Sequence, residues 1–281
     1  MTSNIPIDPE SQMTSRDPQT NRPDTFDGIE SVFSATYFLT PGECNPQQRM
    51  PLTLLINRLI EVATLHANQV GIGYAFLVRE HQTWVLSRVA VEMRRYPGVN
   101  ENYTISTWIS SISRLFSERD FEICAEGGEV IGHARTVWAV IDTRSRQVGD
   151  ISRISWVKEL IPDREPPVDK PSRLRPIQPP ADGAVAPDGF RETKYRFQYT
   201  DIDFNRHVNS SRYIELLLNQ WSLDFHDANR LTRFEIAYIH EARYDMEATL
   251  LLQTEGPLTR AELIGPDRQP ILRSLLRFSP R

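Results

Sequence analysis

A chain of 281 residues, 40% of them hydrophobic, has enough apolar side chains for one large or two ordinary folded domains, and this excludes a disordered protein. Its formal charge of −5 arises mostly in Met1 to Glu30, where six acids stand against two arginines, so the body is nearly neutral and lacks the basic excess of a nucleic-acid binder. Cys44 and Cys124 are the only cysteines, with no Cys-x-x-Cys and no zinc-spaced histidines, which points to a reduced setting and offers no zinc-type cofactor site.

Residues 1–28 are polar and punctuated by Pro6, Pro9, Pro18 and Pro23, and are expected to form a disordered tail. No run of about 18 apolar residues is present, and the N-terminus has neither a signal-peptide pattern nor an Arg-rich transit character. A bacterial cytoplasmic protein without membrane association is the expectation. Ser31 to Leu39 alternates loosely and reads as a strand ending at Pro41-Gly42. A helix follows, with Leu52, Leu55, Ile56, Leu59, Ile60, Ala63, Ala67 and Val70 on one face and Gly71-Ile72-Gly73 closing it. Four strands are predicted next, at Thr83–Met93, Tyr103–Ser113, Leu115–Ala125 and Glu129–Asp142, parted by Pro97-Gly98 and Gly127-Gly128.

Residues 161–188 carry eight prolines and little apolar content, the composition of a stiff, extended interdomain linker. Beyond it the order repeats: a strand at Thr193–Thr200, a helix from Asn209 to Leu223, then strands at Phe234–Tyr238, Thr249–Glu255, Arg260–Ile264 and Ile271–Phe278. The two halves are thus predicted as 29–160 and 189–281, each with one long helix and a set of strands.

Between the second strand-to-helix pair lies Asp201-Ile-Asp-Phe-Asn-Arg-His-Val-Asn209. If this segment is extended, Asp201, Asp203, Asn205 and His207 share one side while Ile202, Phe204 and Val208 turn to the other. The first N–H groups of the following helix have no partner within it and carry the positive end of its dipole, which suits an oxyanion. A carboxylate, an amide and an imidazole beside such donors supply a base, a polariser and a water-orienting group, the requirements of acyl hydrolysis. The competing reading is a capped turn whose polar side chains only satisfy backbone. The equivalent place in the first half is Thr40-Pro-Gly-Glu-Cys-Asn-Pro46, without the Asp-x-Asn-x-His pattern, which leaves that half free to bind an apolar ligand.

This motif, extended by Arg212-Tyr213-Ile214, resembles the signature of the acyl-acyl carrier protein (acyl-ACP) thioesterases. The stretches Thr83–Met93, Ile105-Ser-Thr-Trp-Ile109, Arg119-Asp-Phe121 and Gly132–Thr143 are similar to the N-terminal half of the same family. The resemblance implies an α+β fold of two tandem hotdog units, each a curled antiparallel sheet around a long central helix. It also implies hydrolysis of fatty acyl-ACP with Asp203, Asn205, His207 and Glu241 as catalytic residues, Glu241 entering through the match at Tyr238-Ile-His-Glu241. Ala242 stands where plant relatives have a Cys, so a thiol mechanism is not expected there. Asp203 and Glu241 then act as bases or as a nucleophile forming an acyl-enzyme. The implied partner is acyl carrier protein, with Arg206 and Arg212 as candidate docking cations and a homodimer left open. Alternatives from the same fold are an acyl-CoA thioesterase, a dehydratase and a non-catalytic acyl-binding protein. His66 is expected to be a core or pocket residue.

Overall fold

The computed structural model describes residues 16–181 and 185–281. In the first unit β1 (Val32–Phe38) leads to α1 (Leu52–Val70), a short α2 (Tyr74–Val78), and then β2 (Gln82–Met93), β3 (Asn102–Ile112), β4 (Phe116–Ala125) and β5 (Val130–Asp142). The second unit runs β6 (Phe190–Arg196), α3 (Ser210–Leu218), α4 (Leu223–Ala228), β7 (Asn229–Tyr238), β8 (Glu247–Glu255), β9 (Leu258–Ile264) and β10 (Pro270–Pro280). All ten strands belong to one sheet in the order β1-β3-β4-β5-β2-β7-β10-β9-β8-β6. The units meet where β2 pairs antiparallel with β7, from Arg88 opposite Ala237 to Glu92 opposite Arg233. This is the double hotdog arrangement.

The spacing of apolar residues places each helix. Leu52, Leu55, Ile56, Leu59, Val62, Ala63 and Val70 are buried on α1, and the chain leaves it through Gly71 at φ 92°, whose N–H bonds back to Ala67 and Asn68. That left-handed angle suits glycine. On α3 the buried side chains are Ser211, Tyr213, Ile214 and Leu217. The two helices touch through a hydrogen bond from Ser211 Oγ to Asn57 Oδ1 at 2.8 Å. One core runs through both units, from Leu39 and Leu55 to Leu250 and Phe278.

Four expectations need correction. The helix predicted as one piece to Leu223 stops at Leu218; Ser222 then caps α4 through the N–H of Phe225, and Trp221 stacks on Phe225 between them. A helical turn at Ser152–Leu160 was not anticipated, yet its Ile154, Trp156, Val157 and Leu160 build a second apolar cluster with Phe76 and Leu77. Of the expected disordered tail, residues 1–15 lie outside the described residues, but from Arg16 onward the chain is fixed on the first unit. Arg16 Nη1 donates to Val70 O at 2.9 Å, Trp156 Nε1 donates to Thr20 O at 3.0 Å, and Phe26 stacks on Trp156.

The linker is extended, as its prolines require, but it is not free of the sheet. It crosses the outer face from the first unit to the second. Lys170 pairs with Glu118 of β4, the N–H of Ser172 meets Glu235 of β7 at 2.6 Å, and the N–H of Ile177 meets Glu262 of β9 at 2.6 Å. Val168 and Ile177 are buried along the way. Two buried carboxylates, Glu235 and Glu262, thereby find partners in backbone that has no strand or helix to satisfy it, and Glu118 finds the Lys170 ammonium.

Candidate active site

The segment expected to be extended is a tight loop. Tyr199–Asp201 forms a helical turn closed on itself, with Asp201 Oδ2 accepting from Tyr195 Oη at 2.9 Å and from the N–H of Gln198 at 2.7 Å. Ile202 bridges to Val208, and between them the chain reverses: the N–H of Asp203 donates to His207 O at 2.8 Å and Arg206 adopts φ 65°. Asp203 Oδ1 staples the reversal by accepting from the N–H groups of Asn205 at 2.8 Å and His207 at 3.1 Å. The period-two alternation therefore does not hold. Phe204 is 91% exposed rather than turned inward, and the Asn205 side chain faces solvent.

Two of the four predicted catalytic residues meet directly. His207 Nε2 lies 3.1 Å from Glu241 Oε2, with the imidazole four-fifths shielded. Glu241 is delivered from beyond β7: the N–H groups of Ile239 and His240 both bond to Ile271 O, which ends the ladder and swings the chain across the loop. Two further bonds fix the crossing, from the N–H of Val208 to Ala242 O at 2.9 Å and from the N–H of Ala242 to Tyr213 Oη at 3.2 Å. Burial pushes the Tyr213 hydroxyl well above its ordinary pKa, so it stays protonated while holding this crossing. Asp203 touches the pair through the backbone of His207, whereas the Asn205 side chain makes no hydrogen bond to these residues.

The other Glu241 oxygen pairs with Arg146 of the first unit, in the turn after β5. Sequence reading missed this residue. A second omission is Phe204. It reaches over a cavity of about 440 Å³ inside the first unit, walled by Ile60, Ala63 and Ala67 of α1 and by Trp84, Arg119 and Trp138 of the sheet. An aromatic residue within the motif was the only signal for it, and alternation turned that residue inward.

At the cavity wall Arg119 Nη1 donates to His66 Nδ1 at 2.6 Å, and His66 Nε2 faces Glu30 O at 3.0 Å. Burial, aided by the neighbouring guanidinium, lowers His66 to about 4, and burial lowers Arg119 to about 9. His66 is thus a neutral, buried residue behind the Arg119 of the wall. Among the described residues it has no acid beside it, so the paired His and acid of a dehydratase are not assembled on α1.

Models of the acyl-ACP thioesterase N-terminal and C-terminal domains match residues 30–154 and 186–264. The oleoyl-acyl carrier protein thioesterase 2 of Arabidopsis thaliana is 30% identical over 216 residues, 72% of this chain and 58% of that protein. Among solved structures, an acyl-ACP thioesterase from Bacteroides thetaiotaomicron is 30% identical with TM-score 0.77, covering 89% of this chain and 98% of that one. The 12:0-ACP thioesterase from Umbellularia californica is 20% identical with TM-score 0.75, covering 92% and 97%. This chain spans 53% to 63% of the length of the curated relatives it matches.

Proposed function

The chain belongs to the acyl-ACP thioesterase family, and from that premise we propose that it hydrolyses fatty acyl-ACP thioesters to free fatty acids. The observation that carries this reading is the His207–Glu241 pair at 3.1 Å, set beside Phe204 at an apolar cavity of about 440 Å³. Acid–base groups and a tail-sized cavity adjoin each other, which is the pairing a long acyl thioester requires.

In this reading Glu241 and His207 take the proton of a water that attacks the thioester carbonyl. The tetrahedral intermediate collapses with cleavage of the C–S bond, and the proton passes to the departing pantetheine sulfur. Asp203 has one oxygen committed to two backbone N–H groups, so it shapes the loop and presents His207; this favours Glu241 over Asp203 as the base. Asn205 serves through its backbone N–H in closing the loop, and its exposed side chain stands free to contact the carbonyl or its water. The tail enters the first unit along Ala63 and Ala67.

The acyl carrier protein is acidic, and Arg206 is an exposed cation beside the mouth that we assign to its docking. Arg212 pairs with Glu215 at 2.6 Å, so its share in docking is smaller than the sequence suggested. We assign the reaction to a reducing cytoplasm, in keeping with the free cysteines Cys44 and Cys124.

The test is thiol release from acyl-ACP and acyl-CoA substrates of graded chain length. Turnover is expected on acyl-ACP, with losses of about 10²- to 10⁴-fold for Glu241→Gln and His207→Ala in folded protein. Equal turnover on both carriers would reassign the enzyme to CoA thioesters. Undiminished rates in both variants would refute the site.

A further inference from the structure

The seam between the units carries a local twofold relation. Its five pairs, from Arg88 opposite Ala237 to Glu92 opposite Arg233, centre on Ala90 opposite Glu235. A half-turn about that centre exchanges Arg88 with Arg233 and, followed along both strands, brings Tyr96 onto the position of Glu241. The same operation exchanges α1 with α3, and the loop before α1 with the Asp203–His207 loop. A second mouth is therefore expected at the start of α1, and a cavity of about 240 Å³ is present there, lined by Asn45, Arg49 and Met50 of that loop and by Tyr96.

The chemistry of this mate is inverted. Among the described residues no side-chain carboxylate lines it; Arg49, Arg95, Arg230 and Arg281 do, and Met50, Leu231 and Phe278 are among its apolar lining. Arg95 is neutralised by Glu101 at 2.8 Å and Glu129 at 2.9 Å. Arg281 spends its Nε on His226 O and Asn229 O. Among the described residues Arg49 and Arg230 have no carboxylate within ion-pair distance. Arg49 feels Glu101 only from beyond ion-pair distance, so two guanidinium groups without a direct carboxylate partner stand at an apolar hollow and select a ligand with an anionic head and a short greasy body. A bare anion leaves the wall unused, and a neutral alkyl chain leaves the arginines unused.

We propose that this cavity binds a short-chain or medium-chain carboxylate, the chemical class of the acids that the proposed reaction would release, at a site separate from the one containing His207 and Glu241. Binding there requires no turnover, so the proposal stands or falls independently of the hydrolysis.

The experiment is calorimetric titration of octanoate, octanol and inorganic phosphate into the full chain and into Arg49→Ser/Arg230→Ser. Ala63→Phe, which fills the larger cavity, isolates the smaller one. Octanoate is expected to bind Ala63→Phe at one site per chain, and adding the two arginine substitutions should weaken it about tenfold or more, the scale of a lost charge-assisted contact. Octanol should bind Ala63→Phe much more weakly than octanoate does. Thioesterase turnover and melting temperature of Arg49→Ser/Arg230→Ser should match the parent, which shows that the fold is intact. Octanoate binding that ignores the arginines, or phosphate binding as tight as octanoate, would overturn the proposal.

Discussion

Arg146 offers the sharpest test of the site because it reaches Glu241 from the other half of the chain. Two unit charges about 4 Å apart interact by about 1 kcal/mol in water and about 4 kcal/mol at an effective dielectric near 20. Arg146 is 48% exposed and Glu241 42%, so the lower end applies. Replacing Arg146 with Gln should then cost about 1 kcal/mol in the organisation of the Glu241–His207 pair, a loss of roughly fivefold in kcat/KM. Stability should change by no more than about 0.5 kcal/mol, as for other surface substitutions. The assay is a double-mutant cycle in which Arg146→Gln, Glu241→Gln and the combination are compared by steady-state kinetics on one acyl-ACP substrate. If Arg146 works by positioning Glu241, its removal has no further effect once Glu241 is neutral. High salt should also narrow the gap between the wild type and Arg146→Gln. An equal loss from Arg146→Gln in both backgrounds would refute the reasoning and leave Arg146 as a substrate contact.

Phe204→Ala should raise KM and lower kcat/KM by about tenfold, from roughly 1.5 kcal/mol of lost apolar contact, with the melting temperature unchanged; an unaltered kcat/KM would show that the exposed ring does not meet the acyl chain. His66 is held at about 4 in the fold against an ordinary value of 6.5, so the unfolded chain binds its proton first, and stability present above about pH 6.5 is lost as pH falls toward 4. Denaturant titrations should find about 3 kcal/mol of this loss missing in His66→Gln, which keeps an acceptor for Arg119; identical pH slopes in the two proteins would contradict the burial argument. Glu235→Ala strips Ser172 and Arg233 of a buried partner and should cost about 3 kcal/mol while speeding tryptic cleavage after Arg173. Unchanged cleavage and stability would mean that the linker needs no such anchor.

Much of the fold was readable because apolar spacing alone decides it: the period of α1 and the strands β2 to β5 follow from residues that must be buried. The catalytic loop was harder. Its polar and apolar residues alternate as in a strand, but Arg206 takes a left-handed angle and Asp203 caps the reversal, so Phe204 emerges where alternation turns it inward. Glu241 was found only through family resemblance, since its neighbours give no sign of the Ile271 carbonyl that steers it. Arg146 could not be found at all, because its partner lies in the other unit and only β2–β7 pairing brings them together. Composition revealed that the linker is extended, but not that buried Glu235 and Glu262 bind its backbone.

The linker laid across the seam also bears on how such a molecule can diverge. Were the two units separate identical chains, every substitution would be made twice, once at each mouth, and a change that improved one would alter the other alike. Joining them holds the partners at an effective concentration near the millimolar range without requiring them to stay identical. Each half then accumulates its own changes. One mouth keeps Glu241 where the other has Tyr96, and one loop keeps His207 while the other has become rich in proline and arginine-flanked. The covalent strap thus acts as an asymmetry device, permitting a single chain to hold two differently evolved versions of one architecture.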